Sequence, residues 1–327
     1  MQHRVCVIGS GNWGTALAMR LASRGHTVSL CNPRPGAPSS APGAAFPPTL
    51  AFSDQIGASV ASASLVVLAS PSPYLRSIST TWLAPFLPST SLVVLASKGL
   101  EEGTLQTPHE LLVHTLGSGR RDTIVALGGP SFAAEVVAGL PTCVVLASTC
   151  PRAAAAAAAA FHGGTFRCFT SPDVTGVELG AALKNVYAIA AGVSDGMGLG
   201  ANAHAALITR GLHEMRRIAV AKGASPLTML GLSGVGDLVL TCAGDMSRNR
   251  RVGLAVGRGA SRDGALAALG GQVAEGVGTA RTGWALAQRL GLQAPILQNV
   301  HALLFEGKTA AHAVRDWMGP DLRGEWE

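Results

Sequence analysis

The stretch VCVIGSGNWGTALA at residues 5–18 decides the fold that this sequence predicts. Its apolar run Val5–Gly9 predicts a buried β-strand, and the residues Thr15–Ser23 predict a helix. A second β-rich run, His26–Cys31, follows at once. A strand, a tight turn, a helix and another strand in such close succession predict a β-α-β unit of a parallel sheet.

The turn inside this unit fits the pattern G-x-G-x-x-G and consists of Gly9, Ser10, Gly11, Asn12, Trp13 and Gly14. The first glycine permits the tight turn, the second lets the backbone approach a pyrophosphate, and the third lets the helix pack closely on the strand. The helix N-terminus then offers free N–H groups to the anion. The turn therefore predicts dinucleotide binding; the alternative is a glycine-rich turn in another kind of α/β protein.

The end of the second strand bears on the choice of dinucleotide. It reads Cys31-Asn32-Pro33-Arg34, without the acidic residue that binds a ribose 2′-hydroxyl. Because Asn32 and Arg34 tolerate a 2′-phosphate, we expect NADP to be favoured over NAD, with use of both left open. Arg34 could instead be a solvated loop residue. Six prolines between Asn32 and Pro48 predict an irregular loop.

Further strands are predicted by short apolar runs that do not alternate with polar residues, as is typical of strands covered on both faces. They are Leu65–Ala69, Leu92–Ser97, Ile124–Leu127, Cys143–Ala147 and Phe166–Phe169. The alanine run Ala153–Ala160 predicts a surface helix without chemistry. The first half is therefore predicted to be a Rossmann-type, doubly wound parallel sheet.

Strand signals end near Asp173, and helical patterns follow to the C-terminus. The predicted helices are Thr175–Ala191, Ala203–Lys222, Leu227–Leu230, Asp237–Cys242, Arg250–Gly257, Thr279–Leu290, Pro295–Phe305 and Thr309–Met318. We therefore predict an α/β protein with a dinucleotide-binding domain at residues 1–174 and an all-α substrate domain at residues 175–327.

The composition excludes several classes of protein. Of the 327 residues, 48% are hydrophobic and 13% are charged, which supports a folded core. No apolar run approaches the ~20 residues of a membrane-spanning helix. The net charge of +6 is spread along the chain, which favours anionic small molecules over nucleic acid.

Targeting and metal-binding signals are absent from the pattern. The first strand begins at Arg4, which leaves no room for a signal peptide. The six cysteines form no CxxC pair, so we expect reduced thiols in a cytoplasmic protein. The nine histidines are scattered, and we expect no metal site.

Lys184 stands out in the helix Thr175–Ala191. The other residues on its face are small or apolar, so the helix is predicted to be central and buried. Burial of an ammonium group is costly unless the group is paired, and desolvation lowers its pKa toward neutrality. A lysine of this kind can transfer protons, so we favour catalysis over a structural lysine that reaches the helix end.

Two later segments carry suitable partners for this lysine and for a phosphate. Asp237 and Thr241 lie four apart on one helical face, and both could contact Lys184; Asp237 could instead be an ordinary helix cap. The run Ser247–Arg251 places arginine and asparagine beside a helix start, which suits a phosphate. A solvated basic face is the alternative for that run.

Together these segments resemble the bacterial-type NAD(P)-dependent glycerol-3-phosphate dehydrogenases, over nearly the whole chain. The matching pieces are GSGNWGTALA at Gly9–Ala18, SKGLE at Ser97–Glu101, GGPSFAAEV at Gly128–Val136, LKNVYAIAAGVSDGMGLGANAHAALITRGLHEM at Leu183–Met215, GVGDLVLTC at Gly234–Cys242, SRNRR at Ser247–Arg251 and VAEG at Val273–Gly276. The resemblance implies reversible reduction of dihydroxyacetone phosphate to sn-glycerol 3-phosphate, with a lysine as general acid/base. It is also compatible with a homodimer.

The resemblance implies roles for individual residues. The catalytic group comprises Lys184, Lys98, Asp237 and Thr241. The substrate contacts comprise Lys98, Gly129, Ser131, Lys184, Asp237, Ser247, Arg248 and Asn249. The cofactor contacts comprise the glycine-rich turn with Arg34, Lys98, Ala133, Arg248, Val273 and Glu275.

One departure from the family pattern concerns the cofactor. Family members carry a helix after the second strand and a basic residue directly at the end of that strand, where this chain has Pro33 and a proline-rich loop. Arg34 could substitute from the next position. Two alternatives to the predicted function are a β-hydroxyacid dehydrogenase and a non-catalytic NADP sensor. The phosphate-binding run opposes the first. The second is opposed by the presence of Lys98, Lys184, Asp237 and Arg248, because a sensor needs only the glycine-rich turn.

Overall fold

The computed structural model describes residues 2–33 and 46–317. The chain divides into two compact units. One comprises residues 1–101 and 106–178, and the other comprises residues 102–105 and 179–327. The predicted site residue Arg34 and most of the proline-rich loop lie outside the described residues.

The first unit is built on one eight-stranded sheet. Its strands are β1 (Arg4–Ile8), β2 (Thr27–Cys31), β3 (Leu50–Ser53), β4 (Leu65–Leu68), β5 (Leu92–Leu95), β6 (Ile124–Gly128), β7 (Thr142–Ala147) and β8 (Phe166–Ser171). Their order across the sheet is β3-β2-β1-β4-β5-β6-β7-β8, and every neighbouring pair is parallel except β6 and β7. The strand order reverses direction beside β1, which confirms the predicted doubly wound sheet.

Two features of this sheet differ from the prediction. Strand β3 was not predicted, because it is an edge strand in which Ala51 and Phe52 are exposed and no apolar run forms. The pair β6–β7 is antiparallel rather than parallel. The connection between these two strands contains only a five-residue helix. At 1.5 Å per residue this helix spans about 8 Å, too little to return the chain along a strand of about 17 Å.

Helices cover both faces of the sheet. They are α1 (Asn12–Ser23), α2 (Ile56–Ala61), α3 (Leu75–Ile78), α4 (Ala84–Phe86), α5 (Pro108–Leu116), α6 (Ala133–Val137) and α7 (Pro151–Phe161). Alternate strand residues enter two separate apolar clusters, one with Val5 and Val7 and the other with Cys6 and Ile8. Because successive side chains of a strand point to opposite faces, the two clusters are the two hydrophobic layers on either side of the sheet, each between the sheet and its covering helices.

The alanine-rich helix α7 is less exposed than predicted. Ala153, Ala157 and Ala160 are buried in the cluster that also contains Val5. The sequence run hides this amphipathic arrangement, since every position carries the same side chain. The small side chains let the helix axis lie close to the sheet. One face of this helix is therefore part of the hydrophobic core.

Among the described residues the second unit consists of helices, turns and loops without a strand, which confirms the predicted all-α C-terminal half. Its helices are most of α8 (Val174–Gly196), α9 (Gly200–Ala221), α10 (Asp237–Ala243), α11 (Arg248–Gly257), α12 (Arg262–Ala267), α13 (Glu275–Arg289), α14 (Pro295–Phe305) and α15 (Ala310–Trp317). A 3₁₀ turn at Pro226–Leu230 and a π-helical turn at Leu232–Gly236 precede α10. None of the helices described is both long and apolar enough to cross a lipid bilayer.

Candidate active site

The glycine-rich turn of the first unit has the backbone geometry that its sequence predicts. Gly9 has φ +115°, and a Cβ atom there would lie 2.7 Å from the backbone carbon of Ala69. Its N–H donates to the Cys31 carbonyl at 2.8 Å, which ties the turn to the end of β2. Only glycine fits this position, because any side chain would meet backbone that cannot move away.

The other two glycines differ from each other in what surrounds them. A Cβ atom on Gly14 would lie 1.8 Å from the Gly9 carbonyl oxygen, so the third glycine lets α1 pack against the turn. Gly11 is exposed, and a Cβ atom there would meet nothing within 4 Å. Gly11 is also the N-cap of α1, and no side chain caps that end. An open surface beside uncapped helical N–H groups is a cradle that fits a dinucleotide pyrophosphate.

The remaining residues of this turn have mixed surroundings. Ser10 is buried, and its carbonyl accepts a hydrogen bond from the Thr15 hydroxyl at 3.2 Å. Asn12 is exposed at the first position of α1, and Trp13 is half-buried against the core of the sheet. At the end of β2, Asn32 and Pro33 are half-buried.

Other predicted residues of the first unit lie at the same edge of the sheet. Lys98 follows β5 and is half-buried; the neighbouring Ser97 hydroxyl donates to the Ser70 carbonyl at 2.5 Å. Gly129, with φ +114°, follows β6, and the Ser131 hydroxyl donates to its carbonyl at 3.0 Å. Since β1, β5 and β6 run in the same direction, their carboxyl ends meet at one edge, where ligands of doubly wound sheets bind. Ala133, the first residue of α6, begins just after this segment.

The second unit contains a buried ion pair. Lys184 lies midway along α8 and is only 5% exposed, while Asp237, the first residue of α10, is fully buried. The Lys184 Nζ donates a hydrogen bond to Asp237 Oδ1. The structure therefore confirms that the helix buries this lysine and that the predicted aspartate is its partner.

Close backbone packing brings α10 to α8. A Cβ atom on Gly180 of α8 would lie 2.2 Å from the Ser233 carbonyl oxygen, in the π-helical turn before Asp237. Thr241, one turn further along α10, donates its hydroxyl hydrogen to the Asp237 carbonyl at 2.6 Å. That bond fixes the helix start, and it differs from the predicted contact between the Thr241 hydroxyl and Lys184.

The segment SRNRR begins α11. The Ser247 hydroxyl accepts a hydrogen bond from the Arg250 N–H at 3.2 Å and caps the helix. Arg248, the first helical residue, is exposed, whereas Asn249 is buried. A helix N-terminus with an exposed arginine at its first position suits a phosphate group.

Both polar atoms of the Asn249 side chain form hydrogen bonds within the protein. Its Nδ2 donates to Asn185 Oδ1 at 2.9 Å, and its Oδ1 accepts from the Gly276 N–H at 2.9 Å. These bonds join α8, α11 and the first turn of α13, where Glu275 lies half-buried beside the exposed Val273. Asn185 was missed by the sequence reasoning, although an amide beside Lys184 in an otherwise apolar stretch was an available signal.

Among residues 2–33 and 46–317, no group of three His, Cys, Asp or Glu side chains could hold a metal ion.

Comparisons with known proteins agree with this geometry. Residues 4–154 match the N-terminal family model of NAD-dependent glycerol-3-phosphate dehydrogenase, and residues 173–315 match its C-terminal model. A glycerol-3-phosphate dehydrogenase [NAD(P)+] of Thioalkalivibrio sulfidiphilus is 46% identical, with 99% of each chain covered.

Solved structures are similar over almost the whole chain. The glycerol-3-phosphate dehydrogenase of Coxiella burnetii is 36% identical, with a TM-score of 0.91 and coverage of 97% of this chain and 99% of its own. The Saccharomyces cerevisiae glycerol-3-phosphate dehydrogenase is 25% identical, with a TM-score of 0.83 and the same coverage.

Proposed function

The chain belongs to the family of NAD-dependent glycerol-3-phosphate dehydrogenases, and from this membership we propose that it catalyses the reversible reduction of dihydroxyacetone phosphate to sn-glycerol 3-phosphate. The observation that carries the proposal is the buried pair of Lys184 and Asp237. A cationic acid at the end of a long side chain is the group that a ketone reduction needs, because negative charge develops on the carbonyl oxygen.

In the reducing direction, Lys184 donates a proton to the C2 oxygen of the triose. Asp237 supplies the counter-charge of the ammonium group and fixes its direction through their hydrogen bond. When bound, the nicotinamide cofactor supplies a hydride to C2. We assign Lys98 to stabilisation of the developing charge, and we assign Thr241 to holding Asp237 at the start of α10.

The phosphate of the substrate is assigned to the N-terminus of α11. Arg248 provides an exposed guanidinium group and Ser247 caps the helix, while Asn249 holds the segment against α8 and α13. Binding energy gained at the phosphate positions the carbonyl group for reaction. Gly129 and Ser131 are the substrate contacts proposed in the first unit.

The cofactor is assigned to the glycine-rich turn. The open surface at Gly11 and the free N–H groups of α1 support pyrophosphate binding. Ala133, Val273 and Glu275 are proposed as further cofactor contacts, together with Lys98 and Arg248. The absence of an acidic residue at the end of β2 supports acceptance of NADP as well as NAD.

The variant Lys184→Ala tests the catalytic proposal. Turnover of dihydroxyacetone phosphate should fall by roughly 10²–10⁴-fold, because an acid/base group is lost, while binding of NADPH persists. Lys222→Ala removes a half-buried lysine at the C-cap of α9, outside the proposed site, and serves as the matched control, with turnover close to that of the wild type. Near-normal turnover of Lys184→Ala rejects the assignment.

An absorbance assay with NADH and NADPH in parallel tests the activity and the cofactor together. At a fixed concentration of dihydroxyacetone phosphate, we expect oxidation of both cofactors and a higher kcat/KM with NADPH. A wild-type enzyme that oxidises neither would refute the proposed reaction. The expectations of a cytoplasmic location, a homodimer and the absence of a nucleic-acid partner remain predictions, as does the domain boundary at residue 174.

A further inference from the structure

A second ion-pair network lies in the helical unit, beside the start of α11. Asp195, near the end of α8, accepts hydrogen bonds at both carboxylate oxygens. Its Oδ2 accepts from the Arg250 Nε at 2.9 Å and lies 2.8 Å from the second guanidinium nitrogen, while Oδ1 lies 2.8 Å from His204 Nδ1 of α9. The side chains of Asp195 and Arg250 are only 21% and 18% exposed, so solvent screens this pair weakly.

Arg250 is held from a second side as well. Its backbone N–H donates to the Ser247 hydroxyl, and its Nη1 donates to Asp245 at 2.8 Å. Asp245 is 97% exposed, in the turn that joins α10 to α11. The guanidinium group thus connects the end of α8 to the turn that immediately precedes Arg248.

These contacts exclude one role for Arg250 and suggest another. Its forked donors are directed at two carboxylates, whereas Arg248 and Arg251 of the same run are exposed. Of these two, Arg248 lies at the first helical position, where the helix N-terminus favours an anion. The direction of Arg248 depends on where α11 begins, and that position depends on how Arg250 is anchored. A small displacement of a charged ligand-binding group can reduce binding by more than tenfold.

We infer that Asp195 and Arg250 are positioning residues for substrate phosphate recognition: they hold the first turn of α11 so that Arg248 meets the phosphate of the triose. His204 contacts the other carboxylate oxygen of Asp195, Oδ1, and so fixes the direction of that carboxylate. The inference rests on the proposed function, because it assumes a phosphorylated substrate at Arg248. It adds two residues that make no substrate contact of their own.

The test is a steady-state comparison of Asp195→Asn with Asp245→Asn. Both variants remove a carboxylate from the same guanidinium group, but only Asp195 is largely shielded from solvent. For Asp195→Asn we expect at least a roughly tenfold rise in KM for dihydroxyacetone phosphate, and an equal rise in the inhibition constant of inorganic phosphate. For Asp245→Asn the KM should change less than about twofold, because an exposed ion pair contributes little.

A further variant separates positioning from a general loss of structure. Arg250→Lys keeps the positive charge but not the forked contact, and it should reproduce the rise in KM even if Asp195→Asn does not fold. A loss of kcat with KM unchanged in both variants, or a KM within twofold of the wild type, overturns the inference. A wild-type enzyme without activity on dihydroxyacetone phosphate would instead refute the proposed function.

Discussion

Lys184 is a single residue whose neighbours in the chain already indicate its surroundings in the fold. Between Glu178 and Asp195 it is the only charged side chain, so a buried helix leaves its ammonium group without water. Such a charge persists inside a protein only with a partner at hydrogen-bond distance. The partner is Asp237, 53 residues further along the chain.

The pair makes a prediction about stability. Asp237→Asn should lower the free energy of unfolding by roughly 3–5 kcal/mol, because it leaves a buried ammonium group without its counter-charge. Denaturation by guanidinium chloride measures the change. Asp316→Asn, which removes the exposed carboxylate paired with Lys308, is the control and should leave the unfolding free energy nearly unchanged. Equal effects in the two variants would contradict the assigned burial.

Glu214 of α9 is a second buried carboxylate, and it has a structural role. Its two oxygens accept hydrogen bonds from the backbone N–H groups of Ile296 and Leu297 in the first turn of α14, and from the Tyr187 hydroxyl. Burial nevertheless raises the pKa of Glu214 to about 7, since these bonds only partly replace the lost water. The folded state therefore holds this proton over a pH range in which the unfolded chain releases it.

This raised pKa predicts that stability decreases with pH. Between about pH 4.5 and pH 7 the folded protein binds more protons at Glu214 than the unfolded chain, so the free energy of unfolding falls as pH rises. Relative to Glu214→Gln, the wild type should lose about 3 kcal/mol between pH 4.5 and pH 8. Chemical denaturation of both proteins at the two pH values measures this; a difference that does not change with pH would show that Glu214 titrates normally.

At the scale of elements, the crossing of α8 and α11 is set by glycines on both helices. A Cβ atom on Gly192 would lie 2.1 Å from the Arg250 carbonyl oxygen, and one on Gly253 would lie 2.0 Å from the Ile189 carbonyl oxygen. Gly196 and Gly257, each four residues further on, meet the opposite backbone in the same way. The helix that begins with Arg248 therefore packs directly against the backbone of the helix that carries Lys184.

Replacing two helical glycines by alanine should have opposite effects on stability, because Gly253 lies at this crossing and Gly278 does not. Gly253→Ala should destabilise the protein by about 2 kcal/mol or more, because the added methyl group forces the two backbones apart. Gly278→Ala, in α13, meets nothing within 4 Å and should stabilise it by about 0.5–1 kcal/mol through helix propensity. Thermal unfolding followed by circular dichroism compares them, and stabilisation by both substitutions would show that the helices are not in backbone contact.

For the whole molecule, local sequence pattern predicts most of the architecture and part of the site. Apolar runs predict the central strands because both of their faces are buried, whereas the edge strand β3 has no such run. The geometry of the glycine-rich turn follows from a six-residue pattern. Contacts between distant positions do not follow: Asp195 meets Arg250 across 55 residues, and Asn185 meets Asn249 across 64. No local pattern indicates such pairs.

Residues 102–105 illustrate the same limit. They belong to the helical unit, where Glu102 pairs with Arg281 at 2.9 Å and the Thr104 carbonyl accepts from Arg289. In the sequence this short stretch lies far ahead of the helices that it contacts. Its assignment to the second unit depends on contacts with residues about 180 positions later. A local pattern of apolar residues does not predict such contacts.

The state of the cysteines gives a prediction for the molecule as a whole. All six are free, and the sulfur atoms of Cys6 and Cys31 lie 3.9 Å apart. The thiolate is the reactive form of cysteine, and burial raises the pKa of Cys168 and of Cys242 to about 12. Cys6 and Cys31 are inaccessible because both are completely buried.

Only Cys143 and Cys150, which are half-buried, should therefore react quickly with a disulfide reagent in the native protein at pH 8. Titration in 6 M guanidinium chloride without reductant should then release six equivalents of the coloured thiol, because unfolding exposes every side chain. The unfolding midpoint should also be the same with and without dithiothreitol. Four equivalents after unfolding would reveal a disulfide, with Cys6 and Cys31 the first pair to examine by mass spectrometry, and the expected reduced state of the chain would be wrong.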